Sequence, residues 1–555
     1  MELVDAADYQ QLRKDKSFRS GSASIAVTDD DEDIVFMQHP VDRPIRESVT
    51  ETVPKGRFVA GEAFFNYAAF GSLREGLPTV ALFSPQYFGL VFNAMVAGFT
   101  VTFTTYALQP LLVMVLTEYQ PNQIDAAGKV VQWPGTLAVF FGLVSDCFPI
   151  CGYRRKSYMM LGWILSSAMY LAMCILDWTL DKNLSSMGYL FVIISVGANV
   201  GYQLMWLASL AMTVEFAQRE HLYERGHLQS LYFIVHFASA SLTNLLCAFV
   251  IKPQLDGSYK SDLSVGSVAL VLGIACLLPL PVLHWFLAED KALANSVSIR
   301  TRLQELWSFL QQKVVYCIFF YLVVTIFLLS ASSPDVQTAV LGWSGYTNTK
   351  AMWLALAFES PKLIGVLIFK SLFINFDWRK IGCIGLVFYI FTNFSLTLPV
   401  TYNQVRSTWY LYLWIALGQI PQGWFELFIV IPATEIADVG REGVTMGLIS
   451  SFMQLISIAG GTLWNSLNKA VGTKITVQQI AEDDHAVHKH VTVSLVIYSC
   501  IQLAALVMFW FLPAQKLDAQ QLRAFGGFNS AARLAIVGVF MALLVYDLGT
   551  NLANW

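Results

Sequence analysis

Apolar residues come in blocks of about twenty along this chain, separated by short polar breaks, from residue 87 to residue 513. A block of that length, wound as a helix, covers the roughly 30 Å of hydrocarbon in a bilayer. The pattern therefore predicts membrane-crossing helices at 87–116, 127–147, 157–177, 188–214, 227–250, 265–287, 314–332, 352–373, 380–400, 409–434, 443–467 and 491–513. That makes twelve. One further apolar stretch at 531–550 predicts either a thirteenth crossing or a helix packed along the interface, because Asp547 and Asn551 crowd one end.

The polar segments divide the chain. Residues 1–84 read as a cytosolic tail, with an acidic run at Asp29, Asp30, Asp31, Glu32 and Asp33 and too little apolar surface to order itself. Phe64, Phe65, Tyr67 and Phe70 are expected near the membrane surface. No cationic start followed by a short apolar core occurs there, so no cleavable signal peptide is expected. Next come a six-helix bundle at 85–288, a charged linker at 289–313, a second six-helix bundle at 314–513, and a C-terminal segment at 514–555. This is the layout of two related bundles joined in the middle.

Composition agrees. The chain of 555 residues is 55% hydrophobic and only 13% charged, against roughly 25% charge in soluble domains. An all-α polytopic membrane protein is the expected class. The net charge of −4 lies in loops and tails, so no nucleic-acid surface is expected. The eight cysteines sit mostly within apolar runs and read as free thiols. Arginine sets the orientation. With the N-terminus in the cytosol, the inner loops hold Arg154, Arg155, Arg219, Arg225, Arg300, Arg302, Arg379 and Arg441, and only Arg406 is left outside. The plasma membrane is preferred over endomembranes.

The most informative stretch runs from Gly142 to Trp163, GLVSDCFPICGYRRKSYMMLGW. Asp146 closes one helix, Gly152 turns the chain, and Arg154, Arg155 and Lys156 open the next. A carboxylate there can receive helix N-terminal N–H groups and pair with guanidinium. A degenerate second copy, with Asp377, Arg379 and Lys380, lies in the corresponding loop of the second half.

Ionisable groups within spans are costly and default to functional candidates. Glu359 and Lys362 share one face of the eighth helix around Pro361. The tenth helix carries Glu426 in LGQIPQGWFELF, near Gln422; the fifth carries His236; the fourth offers Asn199, Gln203 and Trp206. Amides, a carboxylate and aromatic faces together suit a planar heterocycle, and a protonatable glutamate suits proton coupling. Packing between helices uses the same residue types. An outer loop with Glu482, Asp483, Asp484, His485, His488 and His490 lacks metal-ligand spacing and reads as solvated. Asn183-Leu184-Ser185 is a weak glycosylation sequon. No phosphate-binding Gly-rich loop, no nucleophile–base pair and no metal cluster is found, so neither an enzyme nor direct ATP drive is expected, and no cofactor.

The Gly-x-x-x-Asp…Gly-Arg-Arg pattern resembles the loop between the second and third helices of major facilitator transporters. Its longer form, SDCFPICGYRR followed by SYMMLGW, is similar to the folate–biopterin transporter family, and RGHLQSL at Arg225–Leu231 adds to the likeness. The resemblance implies a major facilitator fold of two six-helix bundles and alternating access. It also implies a gating role for Asp146, Gly152, Arg154, Arg155 and Lys156, a pteridine- or folate-like small molecule as substrate, and lipid and protons as further partners. There is one departure. In MWLASLAMTVEFA, Trp206 and Leu210 stand where the family pattern leads one to expect aspartates. A carrier of a different small organic solute, or a receptor-like protein that has lost transport, are the alternatives.

Overall fold

The computed structural model describes residues 71–554 apart from 75, 117–120, 180–186, 251, 254–258, 261–263, 292–297 and 471–476. The acidic run at 29–33, the aromatic residues at 64–70 and the sequon at Asn183 lie outside the described residues.

Among the described residues, twelve single helices are long and apolar enough to cross a membrane, and a bent pair makes a thirteenth. They are α1 (Phe88–Val115), α2 (Gln123–Cys147), α3 (Lys156–Thr179), α4 (Gly188–Ala217), α5 (His227–Phe249), α6 (Val265–Phe286), α7 (Lys313–Leu329 with Pro334–Trp343), α8 (Ala351–Phe373), α9 (Trp378–Thr401), α10 (Thr408–Ile436), α11 (Glu442–Asn468), α12 (His485–Met508) and α13 (Ser530–Ala553). Each span expected from the apolar pattern has its helix. The 48° bend in α7 falls just before Pro334, where the chain loses a backbone donor. Three short α-helices lie outside the spans among the described residues, Ile299–Phe309 between the halves, Val477–Ala481 between α11 and α12, and Lys516–Phe525 after α12. A two-residue hairpin pairs Lys252–Pro253 with Tyr259–Lys260.

Small residues let the helix backbones touch. A methyl group on Gly142 of α2 would overlap the Gly443 carbonyl of α11, and one on Gly98 of α1 would overlap the His236 carbonyl of α5. Gly365 and Gly423 do the same where α8 crosses α10. α5 packs on α8, and α2 on α11, so each crossing joins one half of the chain to the other. α13 lies mostly on the outside and rests on α11, where Phe540 meets Phe452 edge to face at 5.3 Å.

Candidate latch and central charged site

Asp146 ends α2 with its side chain fully buried. One carboxylate oxygen accepts the Val444 N–H at 2.7 Å and the other the Gly443 N–H at 3.3 Å, both in the first turn of α11. A carboxylate at a helix N-terminus meets unpaired N–H groups and the positive end of the helix dipole. Arg155, also fully buried, donates to Asp146 at 2.5 Å, to Glu442 at 3.0 Å and to the Ser145 hydroxyl at 2.8 Å. A turn made possible by positive φ at Cys151 and Gly152 brings Arg155 back beside Asp146.

The three cations grouped by the motif are placed differently. Only Arg155 of the three forms an ion pair in this crossing. Lys156 donates to the His284 and Leu287 carbonyls at 2.8 and 2.9 Å, closing the end of α6 within its own half. The Arg154 guanidinium lies against Gly440. Glu289 in the linker accepts the backbone N–H groups of Arg154, Arg155 and Lys156 at 2.8, 2.9 and 2.7 Å, capping α3.

A second crossing lies beside the first. Arg225, ahead of α5, holds Glu435 at the end of α10 with two bonds of 2.9 and 3.1 Å, both side chains fully buried. Gln229 donates to the Thr434 hydroxyl at 2.5 Å and Gln218 to the Ala437 carbonyl at 2.9 Å. From the helix after α12, Gln520 reaches Glu435 at 2.7 Å, Arg523 pairs with Asp438, and Lys516 donates to the Leu222 carbonyl at 3.2 Å. Burial pulls the Lys516 ammonium down to about 8, against the pull of Glu435. Burial also pushes Glu220 up to about 7, although it accepts the Gly226 and Leu228 N–H groups and so caps α5.

One arm of this network comes from a segment the sequence assigned to the tail. Arg74 pairs with Glu215 of α4 at 3.1 Å and with Glu442 of α11, and donates to the Gln218 amide at 3.0 Å. The Gly71 carbonyl accepts from Arg225 at 2.8 Å. Glu215, Glu435, Glu442 and Arg74 were not among the sequence candidates. For the three glutamates, a place at the end of an apolar block was the one visible sign; Arg74 had none. Asp377 of the second motif copy plays a local part: it accepts the Arg379 N–H at 2.9 Å and caps α9.

The remaining candidates fall into groups. Glu359 and Lys362 form a half-buried ion pair of 2.9 Å on α8, and Glu426 of α10 lies in the field of both. The Tyr106 hydroxyl of α1 donates to Glu359 at 3.3 Å. Trp206 and His236 are brought together with ring centroids 4.9 Å apart, among Tyr202, Tyr232 and Phe233. Asn199 is taken up elsewhere, donating to the Val131 carbonyl of α2 at 2.5 Å. Gln203 and Gln422 are half-buried on α4 and α10.

At the opposite end, Asp483 gathers Arg406 (2.7 and 2.9 Å) and His488 (2.8 Å), and Arg406 lies 5.1 Å over the Trp343 ring at the end of α7. The hydrogen bonds from Arg406 and then His488 hold Asp483 down at about 2. Asp484 instead caps α12, and Glu482 accepts from Gln478.

Residues 90–462 match the family model of the Major Facilitator Superfamily, and the chain belongs to that superfamily. The likeness to folate–biopterin transporters also has a counterpart. The chain is 27% identical over 237 residues to a folate-biopterin transporter of Synechocystis sp., a match covering 42% of this chain and 41% of that protein. Solved structures share the fold: the proton:xylose symporter XylE (TM-score 0.55, 13% identity, 79% of this chain and 98% of that one) and the human organic anion transporter MFSD10 (TM-score 0.53, 11% identity, 77% and 99%). At such identities the likeness is one of fold, not of cargo. The protein is a multi-pass integral membrane protein.

Proposed function

We propose that this chain is a secondary active transporter that moves a folate- or biopterin-like pteridine by alternating access, coupled to protons, with its N-terminus in the cytosol of a plasma membrane. The observation that carries the reading is the buried Asp146–Arg155–Glu442 crossing. A buried ion pair adds little net stability, yet removing one partner costs about 3–5 kcal/mol. When the two halves part, water satisfies the same groups. Such a contact therefore favours one access state over the other rather than fixing the fold. The arginine-rich end that carries this latch is the cytosolic one under the positive-inside rule.

In this reading the first half of the cycle opens the end opposite the latch. Solute enters toward Glu359, Lys362 and Glu426, where a carboxylate can pair with the amine-and-ring-nitrogen edge of a pteridine and Lys362 with its oxygen. Two carboxylates against one ammonium leave the group one positive charge short, which a proton supplies. Trp206 and His236 provide aromatic faces. Reclosure and release of the latch deliver the solute inside.

The test is uptake of labelled folate and biopterin by cells expressing the chain, at neutral and acidic external pH, beside Asp146→Asn. Saturable uptake that rises with acidity and fails in the variant supports the reading. A surface-exposed protein that takes up neither compound overturns the pteridine assignment. The second reading, a different organic solute, is favoured by Trp206 and buried Leu210, where carboxylates were expected. Neutral variants of Glu359, Lys362 and Glu426 that leave every function intact would instead point to a receptor-like protein.

A further inference from the structure

α1 does not run straight. Thr104–Leu108 forms a π-helical turn, in which the Gln109 N–H bonds to the Thr104 carbonyl five residues back. The cause lies two residues beyond the turn. Pro110 has no N–H to give to the carbonyl of Tyr106, and its ring collides with that carbonyl in a regular helix. The chain relieves the clash by inserting one extra residue into the turn, a device often found at functional sites. The residue in the middle of the bulge is Tyr106. Its hydroxyl crosses from α1, in the first half of the chain, to the Glu359 carboxylate of α8, in the second, at 3.3 Å. The other Glu359 oxygen holds Lys362 at 2.9 Å.

This contact lies toward the ends of α1 and α8 away from the latch. Tyr106 is nine residues short of the end of α1 at Val115, and Glu359 eight residues past the start of α8 at Ala351. The two halves are thus tied by buried ion pairs at the latch end and, part-way toward the other end, by the Gln454 amide of α11, which donates to Gln132 of α2 at 3.2 Å, and by this charge-assisted hydrogen bond. Such a bond depends on the acceptor's charge: a neutral carboxyl accepts from a phenol more weakly than a carboxylate does.

We propose that Tyr106 is a positioning residue, set by the Pro110 bulge, through which the charge on Glu359 controls the separation of α1 from α8 on the side opposite the latch. The inference rests on the alternating-access reading above, but not on the identity of the solute. While Glu359 is charged, the tie holds and that side stays shut. When Glu359 takes a proton, or gives its charge to a bound solute, the tie slackens and α1 moves away. The charged and titratable groups in reach are Lys362 on the same helix, Glu426 on α10, and on α5 His236, which feels the charge of Lys362, and the buried Cys247 thiol, which faces Tyr106.

The experiment measures hydrogen–deuterium exchange in the α1 segment 104–115 for the full chain in lipid nanodiscs, without any solute, at neutral and mildly acidic pH. The wild type is compared with Tyr106→Phe, Glu359→Gln and the double variant. At neutral pH each single variant should exchange roughly ten- to a hundredfold faster than wild type, the scale of one lost hydrogen bond to a charged group. Each should also lose the acceleration that acid gives the wild type, corrected for intrinsic exchange, and the double variant should be no faster than either single one. Pro110→Ala, which removes the cause of the bulge, should reproduce Tyr106→Phe with the hydroxyl still present. Exchange and pH response in Tyr106→Phe equal to wild type, or effects of the two single variants that add, would overturn the proposal. Because no solute is used, failure of folate and biopterin uptake in the earlier test is a separate result.

Discussion

Replacing Asp146 with asparagine changes one atom of the side chain and should reset the resting state of the protein. The carboxylate meets Arg155 at 2.5 Å and the Val444 and Gly443 N–H groups at 2.7 and 3.3 Å. Asparagine keeps one acceptor and turns an NH2 group toward donors. Loss of a partner in a buried pair costs about 3–5 kcal/mol, and weakening of the helix cap adds about 1 kcal/mol. Glu442 still faces Arg155 at 3.0 Å, so the lower end applies. A loss of about 4 kcal/mol in the latched state alone shifts the access equilibrium several hundredfold. Two native cysteines provide the assay. Cys147 is fully buried beside Asp146, whereas Cys151 is exposed on the turn that follows. With a membrane-impermeant maleimide applied at the arginine-rich face, labelling of Cys147 relative to Cys151 should rise by more than tenfold in the variant. An unchanged ratio, in a variant that retains its wild-type melting temperature, would refute the view that Asp146 sets the access equilibrium.

Three other outcomes follow from the same geometry. Arg74→Ala removes the arm shared by Glu215 and Glu442 and should raise Cys147 labelling about tenfold, less than Asp146→Asn. Gly142→Ala places a methyl group against the Gly443 carbonyl at the α2–α11 crossing, so it should unlatch the protein without touching any charge, at about 1–3 kcal/mol, again read by the cysteine ratio. The Arg406–Asp483–His488 cluster should show in acid melts. Because the folded Asp483 sits at about 2, below its ordinary 3.8, its contribution is present above that ordinary value and is lost as pH falls toward about 2. The melting-temperature gap between wild type and Asp483→Asn should therefore close as pH falls from about 4 toward 2, by a modest amount since the group is part-exposed.

The hydrophobic pattern made the membrane helices legible, because a span is a local property: about twenty apolar residues in a row suffice. The Asp146–Arg155 half of the latch was legible for the same reason, both residues lying in one short motif. Its other half was not. Glu442 sits 287 positions from Arg155, and Val444 298 from Asp146. Which helix ends meet is decided by lateral packing of small residues such as Gly142 and Gly443, to which an apolar period is blind. The same limit explains Asn199, which shares a helix face with Trp206 in the sequence but is held by the Val131 carbonyl of α2. Tyr106 was missed for a different reason. Its signal was Pro110, a helix-disrupting residue four positions along, and what the disruption aims at is visible only in three dimensions.

Arg74 and Gly71 lie ahead of the first membrane helix, yet they touch both crossings of the latch. Under alternating access the closure would thus have three parts: two bundles and the segment of chain that enters them. A chimera or truncation joined at the boundary the hydrophobic pattern suggests, just before α1, would keep every membrane helix and still carry an incomplete lock. Such a protein would insert normally and cycle with an altered rate, a defect easily mistaken for one in the binding site.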